Sequence, residues 1–333
     1  MEKKDLLKDT IKHIDIKSYD STQLIDAMRD MSFTSRDTAR ATDILMMMVG
    51  EKECTNILTI AGSTSAAGCM QVYVDMVRNK MVDVVVSTGA SIIDMDLFEA
   101  LGFKHYKGHQ DVPDMQLREL YIDRIYDTFI DEEELQACDH TTYEIANNLE
   151  PRPYSSREFI WEIGKWLHEG HAVKKDSLIQ TCYECGVPIC SAGFGIGKHQ
   201  WEHPDKHLSI DSVKDFVELT QIKIKAGTTG LFMVGGGTPK NFAQDTVVCA
   251  EILGFDVPMH KYAIQITVAD VRDGACSSST LKEACSWGKV DVTYEQMVYA
   301  EGTTVIPAIA SYVYHNGPWK EREYKNWNKL FLK

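Results

Sequence analysis

No apolar run in this 333-residue chain approaches the ~18 residues of a membrane-spanning helix. The opening MEKKDLLKDT is polar and charged, without the apolar stretch of a signal peptide. Basic runs are missing as well: 35 Lys and Arg stand against 49 Asp and Glu, a net charge of −14. Such a surface repels phosphate backbones, which argues against nucleic-acid binding, and it attracts small cations. The nine cysteines are odd in number and scattered, which reads as reduced thiols in a cytoplasmic protein, not as a disulfide framework. Neither a low-complexity linker nor a repeat of fixed period is present, and no GxGxxG or Walker lysine loop occurs. With 44% hydrophobic and 25% charged residues, what remains is an ordinary globular chain.

The periodicity predicts helices through residues 1–50, including the apolar ATDILMMMV. An α/β alternation follows. Strands are expected at 56–60, 82–86, 187–191, 231–234 and 262–267, each running into a Gly/Ser/Thr turn. Between them lie helices at 72–79, from 97, at 157–169, 212–225, 283–287 and 303–312. Residues 104–150 read as an irregular, charged insertion, and 193–207 as a surface loop. The pattern predicts one α/β domain over 1–333, doubly wound around a mostly parallel sheet, with a Rossmann-like site and a helical N-terminal extension over 1–50.

In such sheets ligands bind beyond the carboxyl ends of the strands. Three glycine-containing turns fall there, at 62–68, 88–91 and 235–237. Taken singly, each is better read as a tight turn. Three at one sheet edge leave a dinucleotide cradle equally open. Glu301 reads either as a carboxylate for a ribose diol or as a solvated helix-start acid. Cys182-x-x-Cys185 with Cys190 lacks the second ligand pair of a structural zinc site, and Pro204 interrupts the His199, His203, His207 spacing. Buried thiols and loop histidines are the preferred reading, and no metal is expected. In DVRDGACSSSTLKEACSWGK (270–289), Lys289 follows Trp287-Gly288. A lysine beside an aromatic wall can lose solvation and serve as an imine-forming nucleophile; a surface lysine is the alternative. Glu283 is placed to hold a cationic amine and Trp287 to stack on one.

Glu283-Ala284-Cys285-Ser286-Trp287-Gly288-Lys289 resembles the E-A-x-S-W-G-K signature of deoxyhypusine synthases. The resemblance extends over about residues 15–312, through Val82 to Ala90, Gly235-Gly236-Gly237 with Lys240, Asp273-Gly274 and Val298-Tyr299-Ala300. It implies a homotetramer that binds NAD at subunit interfaces. It also implies NAD-dependent transfer of an aminobutyl group from a polyamine such as spermidine, through a lysine imine, to an acceptor amine. By the same resemblance Lys289 is the covalent lysine. Glu283, Trp287, Asn241, Asp273, Gly274 and Cys276 belong to the substrate end. Gly62, Ser63, Thr64, Ser65, Ala66, Thr88, Gly89, Ala90, Gly236, Val268, Ala269, Glu301 and Gly302 fall where the family binds NAD.

The departures set the expected substrate. Ser191 to Gly197 carries no carboxylate where the family has a T-D-G-S-like segment. D-G-S-D becomes Asp273-Gly274-Ala275-Cys276, Asn241 replaces a histidine, and Glu301 replaces an aspartate. Carboxylates anchor amine termini through charge-assisted hydrogen bonds, so their loss points to a different amine. The expected activity is aminoalkyl transfer onto a small amine such as putrescine or agmatine, with homospermidine as one product. The competing readings are transfer to the lysine of a translation initiation factor, and an NAD-binding paralogue without turnover.

Overall fold

The computed structural model describes residues 2–192, 196–274 and 279–332. Its centre is a six-stranded sheet. The strands are β1 (Thr55–Ile60), β2 (Val84–Thr88), β3 (Ile189–Ala192), β4 (Thr229–Val234), β5 (His260–Thr267) and β6 (Val290–Tyr299). All pairings are parallel, and the spatial order is β3-β2-β1-β4-β5-β6. This is the 3-2-1-4-5-6 order of doubly wound folds, with the direction of winding reversing between β1 and β4.

The reason these segments form a parallel sheet lies in their two-sided burial. Every residue of TNILTI and TGLFMV is buried. Leu58, Phe232 and Val234 enter one apolar cluster. Their sequence neighbours Ile57, Leu231 and Met233 enter the other, as the two-residue period of a strand requires. Helices cover both faces. The first cluster takes Leu45 and Met48 from Phe33–Gly50, Val72 and Met76 from Met70–Arg78, and Ile306 and Ile309 from Gly302–Asn316. The second takes Leu219 and Ile222 from Ser212–Ala226 and Ala243 from Gly237–Gln244. Within the N-terminal segment, the helix Phe33–Gly50 is therefore part of the core. Among the described residues no helix is long and apolar enough to cross a membrane.

Three expectations are corrected. In residues 104–150, His105–Lys107, Ile122–Ile125 and Thr128–Asp131 form a small antiparallel sheet in place of the irregular insertion, while the acidic run Asp131 to Glu134 starts the helix Glu132–Asn147, as its composition suggests. Asp131 caps that helix by accepting from Glu133 N at 3.0 Å. Strands this short and charged leave no apolar alternation to read. The edge strand β6 was not anticipated, because VDVTYEQMVY mixes half-buried and exposed positions. Within the expected loop 193–207, Gly197–Glu202 is helical. There the buried His199 bonds Asn147 Oδ1 at 2.7 Å and accepts from Leu208 N at 2.8 Å.

β2 begins two residues later than its valine run suggests, because Asp83 is used sideways. Its carboxylate accepts from Asn56 N at 2.9 Å and from Arg322 Nη2 at 2.5 Å. Arg322 is 2% exposed and also donates to the carbonyls of Lys80, Val49, Glu51 and Cys54. Burial pushes Asp83 up to about 6, against the pull of Arg322. One guanidinium thus ties the C-terminal segment to the amino end of the sheet. Arg322→Ala is expected to cost about 3–5 kcal/mol, since it leaves the buried Asp83 carboxylate without its charge partner and removes a donor from four carbonyls. Thermal or urea unfolding measures this, and Arg322→Lys is expected to recover only part of it.

Candidate functional site

The carboxyl ends of β1, β4, β5 and β6 surround a cleft of about 490 Å³, within the ~300–1,000 Å³ of small-molecule and cofactor sites. It sits at the β1/β4 reversal, where the fold leaves a crevice. Four turns build it: Ala61, Gly62 and Thr64 after β1; Gly235, Gly236 and Gly237 after β4; Val268 and Ala269 after β5; and Ala300, Glu301 and Gly302 after β6, with Asp273 at the rim.

The glycines have separate reasons to be there. A Cβ on Gly235 would stand 3.1 Å from the Ala61 carbonyl, so the turns after β1 and β4 close on each other only without a side chain. Gly62 (φ 81°) and Gly237 (φ 61°) are left-handed, and a Cβ on either would meet nothing within 4 Å. Their backbone is therefore bare where a ligand can approach. Glu301 caps the helix Gly302–Asn316, accepting from Thr303 N at 2.9 Å, and stays exposed at the cleft. Glu301 thus follows a strand end and starts a helix, as the helix-start reading has it.

Not every predicted cofactor residue lines the cleft. Ser65 and Ala66 are 1% exposed and face inward, with Ser65 Oγ 2.7 Å from Met95 Sδ. Gly89 is buried, Ala90 is exposed, and Thr88 is bonded to Ser91. Ser91 Oγ reaches the Gly62 carbonyl at 3.2 Å, so the turn at 88–91 supports the first turn from behind. Ser63 is half-buried beside Gly62. The first and second turns were legible as turns. Which of their residues face the cleft depends on the kink at Gly68 (φ 105°) and on the π-helical stretch Ser91–Leu97, which residue spacing does not announce.

The lysine end lies elsewhere in the chain. Lys289 immediately precedes β6, whereas Glu301 follows it. Paired along β5, the two ends of β6 are seven residues apart, from His260 to Thr267. That is about 23 Å at ~3.3 Å per step. Lys289 and the cleft are therefore not brought together within one chain. Lys289 is 16% exposed, and its Nζ lies 2.5 Å from Asp245 Oδ1 and 5.2 Å from the centre of the Trp287 ring. Trp287 itself is 69% exposed. Its partner Asp245 terminates the helix Gly237–Gln244, on which Asn241 is half-buried.

Glu283 is engaged in a capping box at the start of Leu281–Ser286, accepting from Thr280 N at 2.5 Å, and this hydrogen bond lowers its pKa. Lys240, fully buried, donates to Ser279 Oγ at 2.9 Å and to the Ser279 carbonyl. Asp273 and Gly274 are exposed. Cys276, and the 193–195 part of the segment lacking a carboxylate, lie outside the described residues. One acid went unremarked in the sequence: Asp94, pushed up to about 6 by burial and then by Asp139, follows the turn at 88–91. Asp245, which the sequence offered beside Asn241 as a replacement anchor without deciding between them, meets Lys289 through the tertiary fold.

Cys182, Cys185 and Cys190 are buried and free, and burial pushes Cys182 and Cys190 well up. Among the described residues, no three or more His, Cys, Asp or Glu converge as they would around a metal ion.

Strand order and cleft together define a doubly wound α/β protein with its ligand crevice at the topological switch point. A family model for deoxyhypusine synthase matches residues 23–313. A deoxyhypusine synthase-like protein of Caulobacter vibrioides is 67% identical over 342 residues, covering 100% of this chain and 93% of its own. A protein of Methanosarcina mazei named probable deoxyhypusine synthase 2 is 39% identical over 303 residues, covering 89% and 87%. A solved structure named for deoxyhypusine synthase, from Entamoeba histolytica, superposes with a TM-score of 0.62 at 16% identity. It covers 95% of this chain and 99% of its own, a likeness of fold. The chain belongs to the deoxyhypusine synthase family, a family of transferases that is in general NAD-dependent.

Gly235→Ala is expected to lower stability by about 1–3 kcal/mol, because the new Cβ meets the Ala61 carbonyl at an unfavourable φ of 69°. Gly254→Ala, also left-handed (φ 86°) but with open space around it, separates the clash from the backbone term in parallel unfolding measurements.

Proposed function

We propose that the protein is an NAD-dependent aminoalkyl transferase that carries an aminobutyl-type group from a polyamine, through an imine on Lys289, to a small amine. The observation that supports this most is the Lys289 environment: a largely covered amine beside an exposed indole face, within the signature Glu283 to Lys289. The cleft suits the cofactor. Bare glycine backbone at Gly62 and Gly237 admits phosphate, and the Glu301 carboxylate is of the kind that accepts from a ribose diol. When bound, NAD supplies the oxidation of the donor amine to an imine and, at the end, the reduction of the product imine.

The protein's own residues supply the carrying step. The neutral amine of Lys289 adds to the C=N carbon of the oxidised donor and expels the departing diamine, leaving the four-carbon unit as a lysine imine. An acceptor amine repeats the exchange and releases Lys289. Trp287 offers a face for the cationic chain. Because about 23 Å of strand separates Lys289 from the cleft within one chain, the working site is formed by the lysine of one copy and the cleft of another. The acidic surface draws cationic amines toward it.

A small acceptor is favoured over a protein lysine by the missing carboxylates at 191–197 and at Cys276. Its nearer relatives carry the name deoxyhypusine synthase-like.

Borohydride reduction of the protein incubated with NAD and, in turn, spermidine, putrescine and agmatine is expected to leave a four-carbon amine adduct on Lys289. Lys289→Arg is expected to abolish it. No adduct with any amine, with NAD still bound, would leave the reading of a paralogue without turnover. A product formed only when a translation-factor protein is added would move the acceptor to a protein lysine. Glu301→Ala is expected to weaken NAD binding by about 10- to 100-fold in calorimetry, the worth of charged hydrogen bonds to a diol, while Lys289→Arg leaves it unchanged.

A further inference from the structure

An imine-forming lysine must present a free amine, yet the amine of Lys289 is engaged. Its Nζ sits 2.5 Å from Asp245 Oδ1. The backbone on both sides is fixed: Lys289 N donates to the Ala284 carbonyl at 3.0 Å, and its own carbonyl accepts from His260 N at 2.9 Å. His260 is in turn fully buried, held by Thr229 Oγ1 at 2.8 Å and by the Ala243 carbonyl at 3.2 Å, two residues before Asp245. The strand that positions Lys289 and the helix end that positions Asp245 are thus joined through one buried imidazole.

The two partners differ in access. Lys289 is 16% exposed, whereas the Asp245 side chain is 40% exposed. A solute therefore reaches the carboxylate more readily than the amine it holds. Trp287 stands beside them, 69% exposed, offering a face to a cation. Glu283, the other acid of this segment, has its carboxylate committed to the Thr280 backbone.

We propose that Asp245 is both the resting lock on Lys289 and the anchor for a substrate ammonium, so that a diamine releases the lysine by taking its place on the carboxylate. The inference rests on the imine reading of Lys289. In the resting pair the amine is held against the carboxylate and is not free to turn toward a substrate carbon. When an incoming ammonium binds Asp245, the carboxylate's charge is spent on the ligand, and the Lys289 amine is released to turn toward the bound chain. No bond other than hydrogen bonds is made or broken in this exchange. It confines reactivity to the moment when a cationic chain is present. It also supplies an ammonium anchor in a chain that lacks the carboxylates at 191–197 and at Cys276.

The test uses a reaction independent of NAD and of transfer. The full-length protein is labelled with butanal and cyanoborohydride near neutral pH, and modification at each lysine is read by mass spectrometry. Asp245→Asn is expected to label Lys289 about tenfold faster than wild type, the worth of one charge-assisted hydrogen bond no longer holding the amine. Asp245→Glu, which keeps the charge, is expected to label slowly. N,N,N′,N′-tetramethyl-1,4-butanediamine, a dication that cannot form an imine, is expected to speed Lys289 labelling in wild type and to do nothing in Asp245→Asn. Lys223 and Lys240, 1% and 0% exposed, report on folding and should stay unlabelled throughout. Equal labelling of wild type and Asp245→Asn, or no effect of the dication on wild type, overturns the proposal. Neither outcome bears on the transferase reading, which fails separately if borohydride traps no amine-derived adduct in the presence of NAD.

Discussion

The close approach of two turns, where the Ala61 carbonyl lies 3.1 Å from the position a Cβ would take on Gly235, is the constraint on which the site depends. It marks the point where the winding of the sheet reverses between β1 and β4. On either side of it the chain turns away, one turn leading to Ser65–Cys69 and the other to Gly237–Gln244. The crevice between them is what remains when two parallel strands pair along their whole length and their following helices go to opposite faces. Filling that approach with a side chain would alter the cleft before any ligand contact was lost.

β6 transmits the second consequence. It carries Lys289 at its start and Glu301 just past its end, so one strand fixes both the candidate nucleophile and a wall of the cleft, at opposite edges of the sheet. A parallel strand cannot fold back to bring its own ends together. On the proposed reading, chemistry that joins the two ends therefore depends on a second copy, and mutations at one end should leave the other end's local properties intact.

Much of this was legible in the sequence where local composition determines structure. The apolar runs TNILTI and TGLFMV predict buried strands, and both are fully buried. Gly62, Gly235 and Gly237 stand at turns whose conformation calls for glycine. The signature Glu283 to Lys289 singled out the lysine and the tryptophan that the fold places beside each other. What escaped depends on distant partners. Asp245 meets Lys289 across 44 residues of sequence. Arg322 collects carbonyls from two separate segments, 49–54 and Lys80. The inward orientation of Ser65 and Ala66 comes with a kink at Gly68 (φ 105°), and the small sheet in 104–131 is built from strands too short to show a period.

The central claim, that the lysine of one chain works with the cleft of another, is tested most directly by complementation. Lys289→Arg and Glu301→Ala chains, each unable to form a borohydride-trapped adduct alone at a chosen NAD concentration, are unfolded, mixed and refolded together. The account predicts that the mixture recovers adduct on Lys289 of the Glu301→Ala chain, because that lysine meets an intact cleft on a Lys289→Arg neighbour. A mixture as silent as its two components, though it assembles and binds NAD, would contradict it.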